Sequence, residues 1–288
     1  MPDALTSKTG LSEARSILSA TLPNVQSDRG TTIALKVRLV FSTPLVVYHT
    51  RVCYIYSLYC VGRQPQIYDF HTHTSLSDGD LSPIELIRRA TENGYRAIAL
   101  TDHVGLGSLE RILHEVSEDC LIAREYWDII AIPGVELTHL PARAIAEAAK
   151  RAKELGAWIV LVHGETIVEP VEEGTNLAAV QSPDVDILVH PGLLTPEEAK
   201  LAAANGIFIE ISARKGHCLT NGHVAHLVET TGIKVLLGSD AHESSDLLTP
   251  SLANAILRGC GLEENQVQTV LSVHPLTLLR RLTLSNSG

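Results

Sequence analysis

Cysteine is scarce and unpaired in this chain: Cys53, Cys60, Cys120, Cys218 and Cys260 make an odd number, with no CxxC among them. That argues against a disulfide framework or a zinc ribbon and points to a reduced, cytoplasmic protein. Positive charge is also short, with 23 Lys and Arg against 33 Asp and Glu for a net −10. A polyanion would meet a repulsive field, so nucleic acid is a poor partner except as a short oligonucleotide or nucleotide substrate. No GxGxxG or GxxxxGK(S/T) turn is present, which removes the main support for a nucleotide-cradling doubly wound fold. Long apolar runs are interrupted: Leu39 to Val61 has the length of a bilayer span but contains Pro44, His49 and Arg51. A central Arg costs about 3 kcal/mol on insertion, so no membrane span is expected. Met1-Pro2-Asp3 does not supply the basic start of a secretory signal.

What is there is ordinary globular material, 288 residues with 45% hydrophobic and 19% charged, enough for a sizeable core in one large domain or two small ones. The composition shifts near Gln66. Residues 1–66 carry seven basic side chains against three acidic ones, net +4, which leaves −14 on the 222 residues that follow. This leader, with four of the seven tyrosines and no sustained helical period, is expected to be poorly ordered or to form one small hairpin. Residues 67–288 are expected to form a barrel domain with C-terminal helices.

From Ile67 short β-branched runs alternate with amphipathic stretches, the pattern of βα units and a parallel sheet. Seven strands are expected, at Ile67–Phe70, Ala97–Thr101, Ile129–Pro133, Trp158–Val162, Asp186–Val189, Ile207–Ile211 and Lys234–Leu237. Ser82-Pro83 with Glu85, and Thr195-Pro196-Glu197-Glu198, read as helix starts with a capping hydroxyl, a proline at the first position and first-turn carboxylates. Gly94, Gly156, Gly206 and Gly232 read as helix stops. Because the units repeat without a long break, a closed barrel follows more naturally than an open sheet.

Of thirteen histidines, six stand just after an expected strand: His71, His73, His103, His163, His190 and His242. Asp78, Glu136 and Asp240 fall in the same layer. Barrel enzymes place their chemistry at that end of the strands. On an extended chain residues i and i+2 share a face, so His71 with His73, and Asp240 with His242, can each grip one cluster. Six imidazoles and three carboxylates buried together without cations would leave many desolvated polar groups, at about 1–3 kcal/mol each when unpaired. Two to three divalent cations are therefore expected. A mixed imidazole and carboxylate set suits Zn, Mn or Fe better than Mg or Ca, and Glu136 is the natural bridge between two of them.

At these residues the chain resembles the polymerase and histidinol phosphatase (PHP) family of metal-dependent phosphoesterases. The motifs are Asp69-Phe70-His71-Thr72-His73, Ser77-Asp78-Gly79, Thr101-Asp102-His103, Gly134-Val135-Glu136, Val162-His163-Gly164, His190-Pro191-Gly192 and Ser239-Asp240-Ala241-His242, across residues 67 to 250. The resemblance implies a distorted TIM-like α/β barrel of seven βα units with the metal site at the C-terminal ends of the strands. It also implies one ion on His71, His73, Glu136 and Asp240, a second on Glu136, His163 and His190, and a third on Asp78, His103 and His242.

The expected reaction is hydrolysis of a small phosphorylated substrate, a phosphomonoester, by water activated between cations. Glu136 bridges; Arg214, Lys215 and His217 on the rim after the sixth strand are expected to bind phosphate, Arg214 through its fork. Asp102 is assigned to the catalytic layer as a group that orients a neighbouring ligand or backbone. His223 and His226 read as surface or packing residues, and His49, His114, His139 and His274 have no pattern around them. Glu165–Ser182 reads as one long acidic loop, suited to a cationic substrate or simply solvated. Two other classes are weighed against this reading. One is a non-catalytic or RNA-associated barrel, as in a ribonuclease P protein subunit, which the acidic body disfavours. The other is an amide or amidine hydrolase of amidohydrolase type, which lacks its usual lysine here.

Overall fold

The computed structural model describes residues 66–285, and the expected leader structure lies outside them. Eight parallel strands are present: β1 Ile67–Asp69, β2 Tyr95–Leu100, β3 His103–Val104, β4 Ile130–Leu137, β5 Ile159–His163, β6 Ile187–Val189, β7 Phe208–Ser212 and β8 Val235–Gly238. Seven of them pair in the order β1-β2-β4-β5-β6-β7-β8, and β3 pairs β4 off that path. Beyond the ends of β1 and β8 a parallel bridge joins Thr72 to Ala241, with His73 N donating to the Ala241 carbonyl and Asp240 N to the His71 carbonyl, both at 2.9 Å. The sheet thus curls into a nearly closed barrel whose seam lies between β1 and β8.

Helices α1 Pro83–Glu92, α2 Leu109–Tyr126, α3 Ile145–Glu154, α4 Thr175–Gln181, α5 Pro196–Asn205, α6 Asn221–Thr231 and α7 Pro250–Gly259 follow the strands, and α8 Glu264–Gln268 and α9 His274–Ser285 close the chain. In α2 the buried positions are Leu109, Ile112, Leu113, Val116, Cys120 and Ala123, the three- and four-residue spacing that puts one apolar stripe against the sheet. The outward strand residues Ile98, Leu100, Val135 and Val160 share that cluster. Each such aliphatic side chain, fully buried, stabilises by about 1.5–3 kcal/mol. Inward residues Ala97, Ala99, Ile132, Leu161, Phe208 and Leu236 form a second cluster with Leu278, Leu279 and Leu282 of α9. Arg281 of α9 donates to the Gly206 carbonyl, and His274 Nδ1 bonds the Val235 carbonyl. Both carbonyls lie at strand starts, so α9 fills the N-terminal end of the barrel and leaves the C-terminal end for chemistry.

Several local expectations need adjustment. The Thr195 capping box is formed with Glu198, whereas the Ser82 hydroxyl makes no capping bond. β4 runs past Pro133 to Leu137, because Gly134 lets it lie against Ile159 of β5 where a β-carbon would collide. Glu136 is therefore inside a strand. β3 is an additional two-residue strand, held by its pairing with β4, His103 with Glu136 and Val104 with Leu137. The expected loop Glu165–Ser182 ends earlier, since α4 begins at Thr175 after Gly174 takes φ 92°. No helix among the described residues is long and apolar enough to cross a membrane.

Candidate metal centre

At the C-terminal end of the barrel the interior changes from hydrocarbon to imidazole and carboxylate. Period two along β4 carries Ile132 in the apolar interior and Glu136 above it, and along β5 carries Leu161 and then His163. The seam contributes His71 and His73 from one side and Asp240 from the other. Glu136 has no exposed surface and sits at the middle. Asp240 and His190 reach it from strained backbone, with φ 52° and 28° in the left-handed region.

Possible ligand atoms gather in five overlapping groups among the described residues, four of them around three neighbouring positions. In the first, Nε2 of His71 lies 3.5 Å and Nε2 of His73 3.6 Å from Glu136 Oε2, and the same nitrogens lie 3.7 and 3.1 Å from Asp240 Oδ1. In the second, His190 Nε2 is 3.5 Å from Glu136 Oε1, and its ring stacks at 4.1 Å on that of His217, with His163 4.4 Å away. In the third, Asp78 meets His242 Nε2 at 3.2 Å and His103 Nε2 at 3.6 Å, with His73 Nδ1 at 4.0 Å. The structure thus brings together the nine residues singled out from sequence and adds His217, which is buried.

Supporting contacts fix these side chains. Glu210 Oε2 is 2.6 Å from His71 Nδ1, with both residues buried, so the ring turns Nε2 into the cage. Gly238 faces this carboxylate so closely that a β-carbon would occupy its place. Asp102 accepts from Thr74 N, Thr74 Oγ1 and Ser77 Oγ at 2.6–2.9 Å; it holds the turn that presents Asp78 and does not face the cage. Thr138 bonds His103 Nδ1, and Thr166 bonds His217 Nδ1, each at 2.7 Å. Arg214 lies over the rim, donating to the Asp240 carbonyl at 3.1 Å with Nη1 2.7 Å from His242 Nδ1, while Lys215 is exposed.

Sequence reasoning missed Glu210, His139 and Glu169. The signal for Glu210 was its inward register two residues after Phe208. His139 stands with its ring 4.6 Å from that of His163, in a backbone conformation no pattern announces. His223 bonds the Leu194 carbonyl, while His114 and His226 are exposed away from the cage.

The charges of the group are interlocked. Burial opposes ionisation of Glu136, yet the neighbouring imidazoles of His103 and His71 hold its carboxyl well below the usual range. Burial likewise opposes protonation of His103, but Glu136 overcomes it and raises the imidazole to about 9. For His163 burial wins and pushes the ring down to about 3, a neutral imidazole with a lone pair to give.

The donor set fits divalent cations. Two donors on one tetrahedral ion at about 2.0–2.2 Å stand roughly 3.3–3.6 Å apart, and the four separations of the first group, 3.1–3.7 Å, bracket that range. Nε2 of His71, both nitrogens of His73, both oxygens of Glu136, Nδ1 of His190 and Oε1 of Glu210 are buried without a hydrogen-bond partner. Glu136 Oε2 also faces His103 Nδ1 at 2.7 Å and His73 Nε2 faces Asp240 Oδ1 at 3.1 Å; the other atoms would cost about 1–3 kcal/mol each unless cations satisfied them.

Comparison with known proteins agrees with this chemistry. The PHP domain family matches residues 69–166. An uncharacterized protein of Methanocaldococcus jannaschii is 46% identical over 216 residues, covering 75% of this chain and 99% of its own. A ribonuclease P protein component 3 of Methanosarcina barkeri is 28% identical over 235 residues, covering 76% and 90%. A probable phosphatase of a Thermoanaerobacter species is 28% identical over 219 residues, covering 70% and 89%.

Proposed function

The chain belongs to the PHP family of metal-dependent phosphoesterases, and on that premise we propose that it is a cytoplasmic phosphomonoesterase acting on a small phosphorylated molecule. The observation that carries the proposal is the buried cage around Glu136, with an arginine fork at its rim and unpartnered donor atoms inside. Two to three divalent cations, zinc, manganese or iron, would be held by His71, His73, Glu136 and Asp240, by Glu136, His163 and His190, and by Asp78, His103 and His242. When bound, such cations polarise phosphoryl oxygens and lower the pKa of water toward neutrality.

The remaining work falls to side chains of this chain. Glu136 offers one oxygen to each of two neighbouring positions, since Oε2 faces His71 and His73 while Oε1 faces His190. Arg214, about a third exposed, can grip a phosphate oxygen without leaving Asp240. Lys215 supplies a second, longer-range positive charge at the rim, and His217 closes the wall beside His190. Asp102 keeps the Asp78 turn in place. The free thiols of Cys120, Cys218 and Cys260 accord with a reducing compartment.

Manganese-loaded protein assayed against a panel of phosphomonoesters and diesters tests the proposal. Turnover of one or more monoesters, abolished by Glu136→Ala, is expected; a loaded protein inert toward all of them refutes it. The likeness to a ribonuclease P component favours a second reading, an RNA-associated barrel. The −14 body, derived from the net −10 and a +4 leader, opposes that reading. RNA binding that persists at 200 mM salt would reverse the order.

A further inference from the structure

The segment between β5 and α4, residues 164–174, is tied at both ends. Thr166 Oγ1 bonds His217 Nδ1 at 2.7 Å, and Glu165 Oε1 accepts from the backbone of Gly174 and Asn176 at 3.0 and 2.9 Å. Between these anchors Ile167 and Val168 are exposed, while Glu169 turns toward the cage. Its Oε2 lies 3.1 Å from His163 Nε2 and 3.6 Å from His139 Nε2, and its Oε1 lies 3.4 Å from His217 Nε2. Three imidazoles, from the connection after β4, the end of β5 and the segment after β7, thus meet one carboxylate.

His163 Nδ1 is 3.2 Å from the Gly164 carbonyl, which can only accept, so Nε2 is the ring nitrogen turned to Glu169. Ligand atoms of His139, His163 and Glu169 lie within 4.8 Å of one another, close enough to hold one ion. The spacing of 3.1 Å is close to that of two donors sharing one ion, about 3.3 Å for tetrahedral bonds near 2.0 Å. We propose that Glu169 is a ligand from within the chain to the cation held by His163, occupying a position open to a phosphate oxygen, so that phosphate enters by displacing it. The exchange is balanced: one carboxylate oxygen leaves the ion, one phosphate oxygen replaces it, and no bond order or oxidation state changes. Glu169, 39% exposed, has solvent to turn into. This inference rests on the metal reading of the cage.

Two measurements on the full chain test it. Metal affinity is read by competition of Mn(II) and Zn(II) with a chromophoric chelator, and inorganic phosphate binding by calorimetry on the manganese-loaded protein. Glu169→Gln should weaken one cation by about tenfold or more, the scale on which metal affinity answers to a lost supporting group. The same variant should tighten phosphate binding: if Glu169 holds the position roughly nine-tenths of the time, only about a tenth of the sites are open, and its removal gains about tenfold. Glu169→Ala should shift both in the same direction. Glu173→Gln removes the same charge from the same exposed segment and should leave both unchanged. A wild type that loads two to three cations while Glu169→Gln matches it in both measurements overturns the inference alone. Equal effects in Glu173→Gln overturn it too, because they would show a diffuse field. A wild type that takes up no cation removes the metal reading and this inference together.

Discussion

Glu210 gives the sharpest test of how the cage is built, because it touches one ligand and faces no substrate. Its Oε2 stands 2.6 Å from His71 Nδ1, with both side chains buried. Burial opposes protonation of His71, and Glu210, Asp240 and Glu136 together raise the imidazole well above its ordinary value. Glu210 therefore sets both the proton position and the ring orientation of a candidate ligand. Loss of such a partner costs about 10–100-fold in metal affinity, which is about 1.4–2.7 kcal/mol. Glu210→Ala should reach the upper end, since it leaves a buried N–H without an acceptor; Glu210→Gln, which keeps an acceptor and loses the charge, should stay near the lower. Chelator competition with Zn(II) and Mn(II), together with total metal content, reads the effect. Only the ion served by His71 should weaken, while the group of Asp78, His103 and His242 keeps its own. Gly238→Ala should reproduce the defect from the other side, because its β-carbon takes the space of the Glu210 carboxylate. A Glu210→Ala protein that binds every cation with wild-type affinity would refute the assignment.

Metal analysis of gently purified protein should find two to three equivalents of Zn, Mn or Fe, and the loaded protein should melt higher than the chelated one; fewer than one equivalent after reconstitution contradicts the cage. At a hundredfold excess over Kd a single ion contributes about 2.7 kcal/mol by mass action, so the shift should be visible by differential scanning calorimetry. Arg214→Ala should lower kcat/KM by roughly 10 to 150-fold, the loss of one charge-assisted bond of about 1.5–3 kcal/mol. A rise in KM would mark grip on the ground-state phosphate, and Arg214→Lys should recover only part. Wild-type kinetics in Arg214→Ala would place the fork outside the pocket. Deleting residues 1–62 should leave a soluble, active barrel, since the charge break and the motifs both begin after it; an insoluble product would show that the leader is needed for the fold.

The legible part of the site was the part tied to strand periodicity. His71, His73 and Asp240 follow the strand ends where period two sets the face, and Glu136 and His163 continue β4 and β5 inward. Where local rules set no direction, the sequence carries no signal for the residue. Glu169 reaches the cage through an eleven-residue connection, 164–174, whose path depends on Thr166 finding His217. His139 depends on a φ of 52° that a non-glycine residue adopts only under tertiary constraint. β3 is two residues long and exists only because β4 is beside it. α4 begins after Gly174, which has no side chain to announce a cap, so its residues read as loop. Glu210 carried a usable signal, the alternation with Phe208, that its place among rim residues concealed.

The irregular places of the barrel coincide with four of its candidate ligands, His71, His73, His190 and Asp240. A regular parallel barrel would join β1 to β8 by a full ladder; here the strands themselves do not pair, and the closure is the Thr72–Ala241 bridge beyond them. The flanking hydrogen bonds run through the backbone of His71, His73 and Asp240. Buried Asp69 accepts from Ser239 N at 3.1 Å and so ties the two sides one step below; burial, against the hydrogen bonds from Ser239, pushes its carboxyl up to about 6. Left-handed backbone at His190 and Asp240 adds strain of about 1–3 kcal/mol at each position. Local rules are broken where function needs them broken, and the loss must be offset by something that links both sides of the seam. Cations shared by His71, His73 and Asp240 would do so, since these donors come from opposite sides of the seam. Barrel closure and metal affinity are then one thermodynamic linkage: each change that opens the seam weakens the ion, and each ion bound tightens the seam.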